Sequence, residues 1–146
     1  MKIQQVSVFL ENKSGRLSEP CRALADAGIN ILTLALADTQ QFGILRLIVR
    51  DWKRATEVLE QAGCVVNVTE VIATEVPDRP GGLADLLNVF ENAEINIEYM
   101  YAFTYRSDDK AVMIFRFEDT DAAISAMQKA DVSVVNSVEL YSRAGD

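Results

Sequence analysis

Apolar residues along this chain change period in a fixed order, and the order occurs twice. Residues 3–10 alternate around Val6, Val8 and Leu10, the two-residue period of a half-buried strand. Leu17, Cys21, Leu24, Ala25 and Gly28 then recur at helical spacing, with Gly28 as the stop. Pro20 falls inside that stretch, where it would remove a hydrogen bond. The helix is therefore expected to start late, with Ser18 or Glu19 as its cap and Pro20 in the first turn. Residues 29–37 and 44–49 are leucine-rich or β-branched runs joined by DTQQFG, which reads as a hairpin. Asp51 caps a helix that buries Trp52, Ala55, Val58, Leu59 and Ala62 and closes at Gly63. Residues 65–76 extend again and feed the second round directly.

The second round follows suit. Leu83, Leu86, Leu87 and Phe90 line a helix, residues 95–105 and 111–117 form a hairpin, and Asp119 caps a helix through Ala123, Met127 and Ala130. Residues 132–140 read as the last strand. NKSGRL (residues 12–17) lies over DRPGGL (residues 78–83), and AGINI (residues 27–31) over AEINI (residues 93–97), both displaced by 66 residues. Asp51 and Ala55 match Asp119 and Ala123 at 68, so the second copy carries two extra residues in between. The chain is a tandem duplication. The expected fold class is α+β, with two ferredoxin-like β-α-β-β-α-β units packed together, antiparallel sheets and helices on one face. The expected domains are residues 1–70 and 71–146.

Charge and composition narrow the function. A net charge of −8 with scattered basic residues argues against nucleic acid and against an anionic membrane. No segment has the pattern of a signal peptide or the length of an apolar span, and Cys21 and Cys64 fall on apolar-patterned stretches as free thiols. A cytoplasmic protein is expected. The chain has no histidine, which removes the commonest general base and metal ligand. No acidic pair stands out from a solvated charge pattern. The expectation is no catalysis, no metal and no cofactor.

The stretch VPDRPGGL raises the question of why a strand should end in a glycine-rich turn and pass straight into a helix. The spacing is neither of the two phosphate-binding glycine patterns, and no lysine follows. A helix start does leave backbone N–H groups without partners and carries partial positive charge. Gly15, Gly81 and Gly82 have no side chain to block an approaching carboxylate, and Arg16, Leu17 and Leu83 would present amides. Asn12 or Asp78 can accept from an ammonium, with Ser14 and Pro80 completing the two turns. Both turns are also good turn sequences with no ligand at all.

These residues resemble the ACT domain, a small regulatory module that binds amino acids. The resemblance rests on the β-α-β-β-α-β order, the turns NKSG and DRPG, INI opening the second strand of each copy, and residues 37–49 and 95–103. It covers residues 6–140. It looks closest to free-standing tandem ACT proteins with no attached enzyme. It implies that Asn30 and Asn96, on the strand beside the turn, contribute to the site. It also implies that the hairpin after the second strand lies near the turn, so that Asp38 and Thr39 take the ammonium and Phe42 closes over a side chain. The favoured site lies between the copies, using residues 12–17 with the facing strand of the second copy, Tyr99 and Tyr101 included. A sheet with helices on one side does not need a second apolar face, yet both faces of residues 31–37 and 99–105 are apolar, so a homodimer is expected. The resulting expectation is a non-catalytic sensor of a free amino acid that regulates amino-acid metabolism. The alternative is a regulatory subunit of a separate biosynthetic enzyme, as ACT-bearing small subunits are for acetolactate synthase, acting through protein contacts.

Overall fold

The computed structural model describes residues 1–38, 40–107 and 109–144, the side chains of residues 38 and 105–107 excepted. The elements run β1 (Lys2–Glu11), α1 (Ser18–Asp26), β2 (Ile31–Asp38), β3 (Phe42–Val49), α2 (Trp52–Gln61), β4 (Val65–Pro77), α3 (Gly82–Asn92), β5 (Ile97–Ser107), β6 (Lys110–Phe117), α4 (Thr120–Lys129), β7 (Val134–Val135) and α5 (Ser137–Ala144). Contacts divide the described residues into two units, Gln4–Thr69 and Met1–Ile3 with residues 70–144, so the division falls inside the single strand β4.

In the N-terminal unit the strand order is β2-β3-β1-β4, with β1 and β2 each antiparallel to β3. Alternation along β1 turns Val6 and Val8 toward the helices, where they meet Leu24 of α1, Leu45, Leu47 and Val49 of β3, and Ala55 and Leu59 of α2 in one buried cluster. In the C-terminal unit the order is β7-β4-β6-β5. Ile72 and Val76 of β4, Leu86 and Phe90 of α3, Phe115 and Phe117 of β6, and Ala123 and Met127 of α4 form its core. Phe90 packs on Phe117 at 4.8 Å between tilted ring centroids, a favoured aromatic arrangement. The ammonium of Lys2 joins this unit through ion pairs with Glu70 and Asp121. No helix of the described residues is long and apolar enough to cross a membrane.

The helix ends follow their sequence signals in most cases. The Arg54 N–H donates to the Asp51 side chain, and the Ala122 N–H to that of Asp119. Gly28 and Gly63 take positive φ, 71° and 86°, just past α1 and α2. The first helix does start late, at Ser18 with Pro20 in its first turn, but neither Ser18 nor Glu19 is the cap. Leu17 holds the cap position with helical backbone and no side-chain cap bond. The Ser18 hydroxyl donates back to the Gly15 carbonyl at 2.9 Å instead. Because α3 starts at Gly82, the counterpart of Arg16, the first turn is the longer of the two.

The last element departs from the expected strand over residues 132–140. Only Val134 and Val135 pair, with Thr74 and Ala73 of β4, and the chain then turns into α5. The Asn136 side chain accepts from the Glu139 N–H at 2.9 Å, and the Asn136 carbonyl from the Leu140 N–H. That cap starts a helix whose Leu140 is fully buried. The Arg143 guanidinium of α5 donates to Glu75. Along β4, Glu75 alternates with the core residue Val76, so α5 approaches the sheet from the side opposite α3 and α4.

Candidate functional site

The duplication extends to the hydrogen bonds of the two turns. In the first, Asn12 N–H donates to the Gln41 carbonyl, Lys13 to Glu11, Arg16 to Lys13 and Glu19 to Gly15. In the second, Asp78 donates to Asp109, Arg79 to Pro77, Gly82 to Arg79 and Asp85 to Gly81. Each bond of one turn has its counterpart in the other. The amides this leaves without an acceptor among the described residues are therefore also paired: Leu17 and Ser18 at the start of α1, Leu83 and Ala84 at the start of α3. Leu17 and Leu83 were expected to present amides; Arg16 was as well, but the Lys13 carbonyl already occupies its N–H at 3.2 Å.

The glycines serve the turns differently. Gly15 and Gly81 have φ of 87° and 86°, a left-handed backbone that favours glycine, and a Cβ on Gly15 would meet nothing within 4 Å. Gly82 lines the hollow beside the second turn and also meets a packing demand. A Cβ there would lie 2.1 Å from the Pro77 carbonyl oxygen, so its bare Cα lets α3 pack against the end of β4.

Beside each turn lies a hollow. The C-terminal one, about 310 Å³, is walled by Glu75 and Pro77 of β4, Arg79, the α3 face carrying Leu86 and Val89, Lys110 of β6, and residues 131–133. The N-terminal one, about 350 Å³, is walled by Phe9, Leu10 and Glu11 of β1, Arg16, Glu19 and Pro20, Phe42 of β3, and residues 62–65. They occupy the same place in the two units, since Phe9 is the counterpart of Glu75, Phe42 of Lys110, Gly63 of Asp131 and Val65 of Ser133. The paired registers agree, with Glu11 opposite Phe42 and Pro77 opposite Lys110.

The other expected site residues divide. The Asn12 side chain donates to the Gln40 carbonyl at 3.2 Å, which ties the hairpin after β2 to the first turn. Phe42, 60 % exposed, lines the N-terminal hollow. Thr39 and the side chain of Asp38 lie outside the described residues. Ser14 is exposed, and Pro80 accepts from Arg79 through its carbonyl. Asn30 is not brought to the turn of its own unit. It lines a separate hollow with Gly28, Arg50, Asp51 and Arg54 at the far end of α1, whose nine residues span about 13 Å. Asn96 sits at the matching end of the C-terminal unit, its amide on the Glu118 carboxylate at 3.4 Å. Tyr99 and Tyr101 are half-buried on one face of β5, opposite Arg116 and Ile114. Glu75, Lys110 and Asp131 were not foreseen as site residues. The signal that finds them is the repeat itself, which sets charged residues against Phe9, Phe42 and Gly63.

Electrostatics mark out Glu75. Burial pushes its carboxyl upward, but the hydrogen bonds and charges of Arg143 and Lys110 outweigh that and leave it below the usual range. Lys110 is 3.2 Å away, and Arg143 is held in turn by Glu139. At the second turn Arg79 donates to the α3 carboxylate of Asp85 at 3.1 Å; at the first, Arg16 donates to Glu19 at 3.0 Å. Burial raises the Cys64 thiol in the N-terminal hollow, which disfavours the nucleophilic thiolate. Among the described residues no cluster of three or more acidic or cysteine side chains could hold a metal ion.

A family model described as an ACT domain pair matches residues 1–143. Among solved structures, the protein BT0572 from Bacteroides thetaiotaomicron is 37 % identical at a TM-score of 0.89, over 97 % of this chain and 96 % of that one. The ligand-free regulatory subunit of aspartate kinase from Thermus thermophilus is 18 % identical at 0.61, over 87 % and 91 %. That of Thermus flavus is 17 % identical at 0.59, over 88 % and 92 %. The last two share the fold. No curated protein matches the chain.

Proposed function

The chain belongs to the family of ACT domain pairs, and on that premise we propose that it is a non-catalytic sensor that binds a free amino acid and regulates amino-acid metabolism. One observation carries the reading: each repeat offers two adjacent backbone amides at a helix start that have no acceptor among the described residues, and a hollow lies next to that start. An α-carboxylate is the natural acceptor for two such N–H groups, because charge-assisted hydrogen bonds are worth about 1.5–3 kcal/mol each and the helix start adds favourable potential. An amino acid is small, so its affinity falls between roughly micromolar and sub-millimolar. Regulation requires the ligand to favour one arrangement of the protein over another.

A second reading follows from the exposed side chains of the N-terminal unit. Phe9, Leu34, Leu36 and Phe42 are each 47–60 % exposed, and a homodimer partner or a separate biosynthetic enzyme would cover such surface. The Thermus aspartate kinase proteins are themselves named regulatory subunits, which favours the enzyme-bound form of this reading.

A thermal-shift screen over the twenty amino acids tests the sensor. Ligand at a hundred times its dissociation constant stabilises by about 2.7 kcal/mol, which for a chain of this size raises the melting temperature by roughly 5–10 °C. No shift with any of the twenty would leave the subunit reading in its place, and co-purification with a second polypeptide would then support it.

A further inference from the structure

The asparagine just ahead of β2 and of β5 has a different neighbour in each unit. Ile97 pairs with Phe117 as Ile31 pairs with Val49, which sets Glu118 beside Asn96 and Arg50 beside Asn30. In the C-terminal unit the Asn96 side-chain amide donates to the Glu118 carboxylate at 3.4 Å, so the chain carries its own anion there. The N-terminal unit keeps the amide and reverses the charge. Gly28, Leu32, Arg50 and Arg54 stand where the C-terminal unit has Glu94, Glu98, Glu118 and Ala122. At this place a hollow of about 250 Å³ opens, lined by Asn30, Arg50 and Arg54 together with the apolar Ile29 and Leu32. Asp51 lines it as well, but its side chain serves as the helix cap and accepts the Arg54 N–H at 3.2 Å. The Arg54 guanidinium donates to the Ala27 carbonyl at 2.6 Å, at the end of α1. That bond positions the cation without neutralising it, because a carbonyl carries no charge, and Arg54 has no ion pair among the described residues. The Asn30 amide likewise has no acceptor among the described residues. A guanidinium presents a planar fork of N–H donors, so one bond to a carbonyl leaves others for an anion.

We propose that this hollow takes a small organic carboxylate, with the anion on the Asn30 amide and the Arg54 guanidinium and the aliphatic body against Ile29 and Leu32. Glu118 indicates the chemistry: the N-terminal unit receives from solution the group that the C-terminal unit supplies from its own chain. An amide and a guanidinium both donate, so the anionic end is what the site recognises, and an ammonium is not required. The hollow lies at the far end of α1 from the turn. It is separate from the amino-acid site proposed above and does not depend on it.

Titration of the full chain with isovalerate, followed by proton–nitrogen nuclear magnetic resonance, tests this. The side-chain amide of Asn30 and the backbone N–H of Gly28 are expected to shift, and those of Asn96 and Glu94 are not. Isobutylamine, which keeps the aliphatic body and exchanges the anion for a cation, should bind at least tenfold more weakly. Arg50→Glu installs the arrangement of the C-terminal unit, a carboxylate beside the asparagine amide, and should weaken isovalerate at least tenfold. Arg54→Gln should do the same. Asn30→Asp changes one exposed group, leaves both arginines in place, and should give the same loss with the dispersed spectrum of the folded chain. Asn96→Ala should keep the parent affinity. Leucine should bind this hollow no more tightly than isovalerate, and inorganic phosphate more weakly. Parent affinity in Arg50→Glu, Arg54→Gln or Asn30→Asp overturns the proposal, as does an equal response to isobutylamine, a preference for phosphate, or a requirement for the ammonium of leucine. Silence with isovalerate, or shifts confined to the two turns, overturns it too, and leaves the amino-acid reading at the turns standing.

Discussion

Gly15 and Gly82 lie in matching turns but are required for different reasons, and substitution separates them. At Gly15 there is room for a Cβ and the obstacle is φ of 87°. Alanine there should cost about 1–2 kcal/mol, the penalty of a left-handed L-residue. At Gly82 the obstacle is the Pro77 carbonyl oxygen, 2.1 Å from a built Cβ. Backbone cannot swing aside as a side chain can, so Gly82→Ala should cost about 3 kcal/mol or more, at the upper end of overpacking penalties. Urea denaturation of both variants measures the difference, and equal midpoints would refute it. The sequence marks both positions as glycine-rich turn but cannot separate these causes. Which glycine faces a carbonyl depends on how closely α3 docks on β4, and that is a matter of packing.

At the scale of the element, α5 shows where pattern reading fails. Val132, Val134, Val135, Val138 and Leu140 invite a strand, and on a strand Val138 and Leu140 would share a face. In the structure Val138 is 77 % exposed and Leu140 fully buried, as a helix separates them. The overlooked signal is N-S-V-E at residues 136–139, an N-cap residue with glutamate three positions on. Asn136 fixes the start of the helix and outweighs the β-branched run before it. What holds α5 at its other end is Arg143 on Glu75, and this makes its attachment pH-dependent. The folded-state pKa of Glu75 is lowered, so the stability it adds is fully present above the unfolded-chain value, about 4.3, and is lost as pH falls through the lower folded value. Glu75→Gln should therefore be less stable than the parent at pH 7, with the gap closing below about pH 4. Melting curves from pH 7 to 3 follow this directly. A gap that stays constant to pH 3 would mean that the carboxylate charge does not hold the helix.

At the scale of the whole molecule, most of the architecture was legible because the chain states it twice. The offset of 66 residues places both turns, both first helices and both INI strand starts, and the hydrogen bonds of the turns repeat pair by pair. Side chains do not repeat in this way, and the contrast between the hollows emerges only when Phe9 is set against Glu75 and Phe42 against Lys110. Their difference bears on how a ligand distributes between the two hollows. If backbone amides alone governed binding, Leu17 and Ser18 would serve as well as Leu83 and Ala84, and the chain would take two equivalents of ligand with similar affinity. If the walls decide, the two hollows fill at different concentrations, because different side chains line them. Titration calorimetry of the best amino acid should therefore resolve two unequal affinities, and Phe9→Ala, in the N-terminal hollow, should change only one of them. Two equal sites per chain would instead show that the duplicated main chain, which the repeats share, dominates over the side chains in which they differ.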